Sequence, residues 1–279
     1  MIKLFKIVTY EKFQKEVEKL LGKSLPKGYL SPSAIGRMLN CGESYRRSYI
    51  EGVWTPPSEN MVRGTLVHRM VECILKQFIK NYEENGLTYM EVDALNYEEY
   101  LPSKDIAFTE TMNSIYHKEM QSIDYSCGGT VEDVIEDHAK KAREEKLLQE
   151  ATQILDLWYK DLVDHLYVPI SSEQTYYGMF DWVPVMGVVD MVVWCPSSNT
   201  RMVLDLKVGI KKRNPLTSVQ LCINGLITGI HEVGFWHMTP AKIRVGPKSN
   251  ISTTKLHEAD VKHMSSVILQ VAEAVRKEC

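Results

Sequence analysis

Two aspartates and a lysine stand on a stretch of chain that reads as a hairpin. Val185-Met186-Gly187-Val188-Val189-Asp190-Met191-Val192-Val193-Trp194 is followed by Pro196-Ser197-Ser198-Asn199, and then by Met202-Val203-Leu204-Asp205-Leu206-Lys207. Two β-rich runs around a turn-forming cluster predict antiparallel strands. Folded symmetrically about Ser197 and Ser198, the hairpin sets Asp190 opposite Asp205. Opposed residues have Cβ atoms about 5 Å apart, and like charges there repel. Lys207 follows two residues after Asp205, on the same face. Each aspartate is flanked by apolar residues, so its carboxylate must be protonated, paired or bound to a cation. Oxygen ligands at this spacing suit Mg²⁺ or Mn²⁺, which take carboxylates, water and phosphate. The plainer alternative is that Lys207 neutralises one aspartate while the other reaches solvent at a sheet edge, and a bulged turn would break the register. If the two carboxylates do face each other, Asp205→Ala is expected to stabilise the metal-free protein.

Other residues have chemistry to offer. His68 and Glu72 are four apart on an amphipathic helix, at the margin of its apolar stripe; such pairs are usually surface contacts. Gln220 borders the apolar face of a later helix. Lys211-Lys212-Arg213, just after the hairpin, is either a solvated turn or a place where phosphates arrive. Tyr45-Arg46-Arg47-Ser48-Tyr49 interleaves aromatic rings with guanidinium groups.

The elements that must position these groups follow from periodicity. Ser31-Pro32 is a helix start, with an N-cap and a proline in the first turn. Val67, Met70, Val71, Ile74 and Phe78 predict a helix from Gly64 to about Lys80. The pattern weakens from about 82 to 126, which predicts short helices or a mobile insertion. A long helix is expected over 131–166, then strands over 174–180, 183–194 and 201–207. Asn214-Pro215 caps a further helix, and a strand at 233–238 and a C-terminal helix from about 258 complete the order. The chain divides into an N-terminal segment (1–30), a helical part carrying His68 (31–170) and a sheet with its closing helices (171–279).

Composition narrows the function. With 279 residues, 44% hydrophobic and 25% charged, the chain is not a disordered, collagenous or coiled-coil sequence. A net charge of −3 excludes a uniformly basic nucleic-acid coat, so any such contact is a local patch. No apolar run of membrane-spanning length and no secretory signal is evident. Six cysteines without a C-x-x-C pair read as reduced thiols of a cytoplasmic protein. Gly22-Lys23-Ser24 is not a phosphate-binding loop, because Val17 stands where that loop needs glycine.

Taken in order, Gly64-x-x-x-His68, Gly187-x-x-Asp190, Asp205-Leu206-Lys207 and the helical Gln220 resemble the PD-(D/E)XK nuclease superfamily, in particular its RecB/AddAB-like exonuclease branch. The early Ser31-Pro32-Ser33, Cys41, Tyr45 and Tyr49 are similar to that branch's N-terminal motif. The resemblance implies an α/β (α+β) fold: a restriction-endonuclease-like core with a central mixed sheet flanked by helices and a large N-terminal helical part. It implies that His68, Asp190, Asp205 and the Leu206 carbonyl bind Mg²⁺ or Mn²⁺, with Glu173 and Glu72 as weaker candidates. Lys207 would activate the attacking water and Gln220 would help place the scissile phosphate. Tyr45, Arg46, Arg47 and Tyr49, with Lys211, Lys212 and Arg213, would contact DNA. The implied activity is exonucleolytic hydrolysis of linear DNA in recombination or repair, in the cytoplasm, by a protein of the kind a phage carries, with a homo-oligomer or a recombination protein as a further partner. A non-catalytic DNA-binding or partner-binding module on the same fold, or an endonuclease, is the alternative. Two departures stand out. Asn224 occupies the place of the branch's tyrosine after Gln220, and only Cys41 and Cys279 match the cysteines of an iron–sulfur cluster, so none is expected.

Overall fold

A computed structural model describes residues 5–21, 25–54, 57–111, 133–209, 214–241 and 246–278. Its centre is a mixed sheet of six strands: β1 (Lys6–Ile7), β2 (Val168–Phe180), β3 (Val183–Cys195), β4 (Thr200–Val208), β5 (Glu232–Thr239) and β6 (Lys248–Lys255), in that spatial order among the described residues. All neighbours are antiparallel except β4 and β5. A parallel pair needs a crossover, and the helix Val219–Thr228 supplies it. This is the central mixed sheet flanked by helices that the motifs imply.

The hairpin has the symmetric register read from the sequence. Cys195 pairs with Thr200, and the ladder continues through Trp194–Arg201 and Val193–Met202 to Met191–Leu204. Asn199 takes the left-handed backbone (φ 52°) that closes the four-residue turn, a conformation asparagine tolerates well.

Two layers of helices cover the sheet. One holds α4 (Glu59–Glu84) and α7 (Asp133–Asp164); the other holds α2 (Pro32–Asn40), α8 (Val219–Thr228) and α9 (Glu258–Glu278). Strand alternation feeds both. Met202, Leu204 and Leu206 join the α4/α7 core, where Trp158 and Trp236 meet at 5.5 Å. Val203 and Phe235 join the α2/α8/α9 core. The Trp236 indole stays satisfied by donating to Asp161 and Ser249.

The helix predicted over 64–80 extends a turn further at both ends, because Val62 and Tyr82 are also buried. Ser31 caps α2 as expected, its hydroxyl accepting from the Ala34 N–H at 3.2 Å. The later helix starts differently. Asn214 caps only a 3₁₀ turn (Pro215–Thr217), and Ser218 then caps α8. Within 82–126 the described residues form two short helices, α5 (Tyr97–Tyr100) and α6 (Lys104–Thr111), while 112–132 lie outside the described residues. Tyr97 is 1% exposed and donates to the carbonyls of Leu162 and Tyr167, so this part of the segment is anchored. Strand β6, strand β1 and the helix α1 (Tyr10–Leu20) have no counterpart in the periodicity reading. β6, with the sequence KSNISTTK, carries too few apolar residues to show an alternating signal.

Candidate active site

His68, Asp190, Asp205, Lys207 and Gln220 arrive from α4, β3, β4 and α8 at the place where the β3–β4 ladder ends. Their contacts turn on the backbone of Leu206. Its N–H donates to Asp190 Oδ2 at 2.9 Å, and its carbonyl lies 3.0 Å from His68 Nε2. A carbonyl only accepts, so Nε2 carries the proton and Nδ1 is the nitrogen left for a ligand. Nδ1 faces Asp190 Oδ2 at 3.6 Å and Glu173 Oε1 at 3.8 Å. One ligand atom from each of His68, Glu173 and Asp190 lies within 4.8 Å of the others, a group able to hold a metal ion.

Glu173 is therefore as well placed as the residues with stronger motif support. It lies on β2 between Ser172 and Gln174, whose partners on β3 are Met191 and Val189, directly across from Asp190. Its φ of 48° is left-handed, a conformation that costs a non-glycine residue about 1–2 kcal/mol. The sequence offers one hint, a run of polar residues Ser171-Ser172-Glu173-Gln174 inside a strand.

Asp205 is neutralised by Lys207, as in the plainer of the two sequence readings. Leu204 and Leu206 point into the α4/α7 core, so alternation turns Asp205 toward the α8 side of the sheet. It is 1% exposed and ion-paired with Lys207 Nζ at 2.5 Å. Lys207 in turn donates to Gln220 Oε1 at 3.5 Å. Asp205 Oδ1 has no hydrogen-bond partner among the described residues. Asp205→Ala would therefore do two opposed things, relieving the repulsion on Asp190 and leaving Lys207 without this partner, so stabilisation no longer follows from repulsion alone.

The electrostatics tie both halves together. Burial, then the charge of Asp205, push Asp190 up to about 7, against the pull of His68 and Lys207. Burial alone would lower His68, but its contact with Glu173 and the charges of Asp190 and Asp205 raise it above the ordinary range. An anionic cluster that holds protons this tightly has the donor chemistry of a divalent-cation site: an imidazole, two carboxylates and a buried orphaned carboxylate oxygen.

The Leu206 carbonyl, in contact with His68, keeps a second lone pair. Two further expectations need correcting. Glu72 points away: Arg69 and Lys76 each reach its carboxylate at 2.5 Å and hold it below the usual range against burial. Tyr45 is 2% exposed and stacks beneath Tyr49 at 5.1 Å, so its ring offers no face to a base. Arg46 is held between Glu43, at 2.8 Å, and Glu51. Arg47 is exposed beside it. The Tyr49 hydroxyl shares a hydrogen bond with Ser33 at 3.2 Å. Asn224 is 1% exposed, 3.4 Å from where a Cβ on Gly187 would sit. Gly187 itself has a packing reason, since that Cβ would lie 2.6 Å from Ile227 Cδ1. Lys211, Lys212 and Arg213 lie outside the described residues.

No curated protein matches the chain. Among solved structures, the one described as "Crystal structure of SSO0001" aligns at 10% identity, covering 57% of this chain and 86% of that one, with a TM-score of 0.29, a likeness too slight to carry an argument. The family model of the PD-(D/E)XK nuclease superfamily matches residues 29–226, a span that takes in α2, His68, Glu173, the Asp190–Asp205–Lys207 hairpin and Gln220. The chain belongs to the PD-(D/E)XK nuclease superfamily.

Proposed function

We propose that this protein is a metal-dependent deoxyribonuclease of the RecB/AddAB-like branch, an exonuclease that degrades linear DNA in recombination or repair. The observation that carries the reading is the convergence of His68 Nδ1, Glu173 and Asp190 beside the Asp205–Lys207 pair. His68, Glu173 and Asp190 would hold Mg²⁺ or Mn²⁺, and the orphaned Oδ1 of Asp205 offers a further oxygen donor. When bound, such a cation supplies Lewis-acid polarisation of a phosphoryl oxygen and acidifies water.

The chain's own residues do the rest. Leu206 fixes His68 in one tautomer and Asp190 in one orientation, as the outer contacts of metal sites do. Lys207 places positive charge where negative charge develops on the phosphate. Gln220 and Asp205 hold its ammonium from two sides, so it is pre-positioned. No helix among the described residues is long and apolar enough to cross a membrane.

The test is cleavage of end-labelled linear and circular DNA, single- and double-stranded, in Mg²⁺, Mn²⁺ or EDTA. Metal-dependent loss of linear DNA with circles spared is the expected result. Linearised circles would make the protein an endonuclease. Intact DNA throughout, with Lys207→Ala indistinguishable from the parent, would make it a binding module.

A further inference from the structure

A groove of 1390 Å³ runs between α2, the short helix α3 (Gly42–Tyr45) with the π turn after it (Arg46–Ile50), and the first turn of α8. Small-molecule pockets measure roughly 300–1,000 Å³, so this one has room for a length of polymer. Arg37 and Arg47 line one wall, with Asn40; Ser218 and Gln220 line the other. Gln220 also contacts Lys207, so this wall of the groove lies one side chain from that lysine. The π turn is what presents Arg47 here: it buries Ser48, which accepts from Arg37 at 2.5 Å, and leaves the next guanidinium exposed. Single π turns of this sort concentrate at functional sites. Arg47 makes no ion pair among the described residues, in contrast to its neighbour Arg46. Just beyond Val53 on the rim, Trp54 is 55% exposed, with the Arg37 guanidinium 5.0 Å from its ring and the Tyr49 edge at 5.4 Å.

From these features we infer that the groove is a track for single-stranded polynucleotide leading to Lys207, with Arg37 and Arg47 on successive phosphates and Trp54 stacking on a base. What happens at its end rests on the nuclease reading; the binding itself does not. Unpaired bases expose the faces that an indole stacks on, whereas a duplex hides them. Two arginines in a chain of net charge −3 also suit a single strand better than a duplex, which calls for a broad basic face. Gly36 faces the groove, and a Cβ there would meet nothing within 4 Å.

The experiment measures anisotropy of a labelled thymidine oligonucleotide in EDTA, for the full chain, Gly36→Glu and Arg47→Gln. Gly36→Glu places a carboxylate in open space on a helix, so its melting temperature should hold while single-strand affinity falls at least tenfold. Arg47→Gln should lower the slope of log affinity against log salt by about 0.7, the loss of one phosphate contact. Affinity unchanged within twofold in both variants overturns the track. So does a duplex of equal length bound as tightly and with the same sensitivities. Cleavage of the same oligonucleotide in Mn²⁺ separates the two readings. Binding through the groove without cutting overturns the nuclease assignment and leaves the track. Cutting with both variants indifferent overturns the track and leaves the nuclease.

Discussion

Asp190→Asn should make the metal-free protein more stable, by an amount that grows as pH rises from about 4 to about 7. Asp190 is pushed from 3.8 up to about 7 by burial and by Asp205. The folded state therefore binds this proton more tightly than the unfolded state does. The resulting stability is fully present below pH 3.8 and is lost as pH rises through 7. About three pH units at 1.36 kcal/mol each set an upper value of about 4 kcal/mol. The side chain is 15% exposed, and allowing for solvent screening gives a range of about 2–4 kcal/mol. Asparagine stays neutral, and its carbonyl oxygen still accepts from the Leu206 N–H. The variant should therefore match the parent closely at pH 4.5, where about a quarter of the effect has developed. At pH 8.5 it should melt about 4–8 °C higher. The assay is thermal unfolding in EDTA at the two pH values. Equal melting at pH 8.5, or a less stable variant there, would refute the claim that Asp190 is held near neutrality by burial and Asp205.

The same groups set the pH dependence of metal binding. Metal must displace protons from Asp190 and His68, so Mn²⁺ affinity should rise between pH 6 and pH 8, with proton release visible by calorimetry in buffers of different ionisation enthalpy; a flat affinity would rule this out. Glu173→Gln should weaken Mn²⁺ at least tenfold by the same titration, and an unchanged affinity would remove Glu173 from the site. Lys207→Met leaves the buried Asp205 without its partner and should destabilise the metal-free protein by about 1–3 kcal/mol in denaturant unfolding; a neutral result would mean that the pair is not formed. The two motif glycines should part company. Gly64→Ala meets nothing within 4 Å and should add about 1 kcal/mol through helix propensity, while Gly187→Ala presses on Ile227 and Pro32 and should cost about 1–3 kcal/mol.

Residues close in sequence carried most of what was legible beforehand. The hairpin register follows from two β-rich runs and a four-residue turn, and Ser31-Pro32 announces α2 because an N-cap is a local hydrogen bond. The amphipathic stripe of α4 is visible because its period is set by the helix itself. Strand β6 was not legible, since a polar strand at a sheet's edge has no burial pattern to display. Arg46 is a local case that was open to reading, because Glu43 and Glu51 flank it within one and a half turns.

The sequence by itself determined the order of the site-bearing motifs, the family they belong to and the symmetric pairing that carries Asp190 and Asp205. Only the tertiary structure decided which side chains share the site. Glu173 joins His68 and Asp190 because β2 lies beside β3 and its backbone turns left-handed at that residue. Asp205 faces Lys207 because its neighbours Leu204 and Leu206 take the opposite side of the sheet for the core. Tyr45 is withdrawn because Tyr49 covers it. Residue type and spacing are properties of one strand or one helix, whereas a ligand set is a set of distances between elements far apart in the chain, and those distances come into being only when the layers pack.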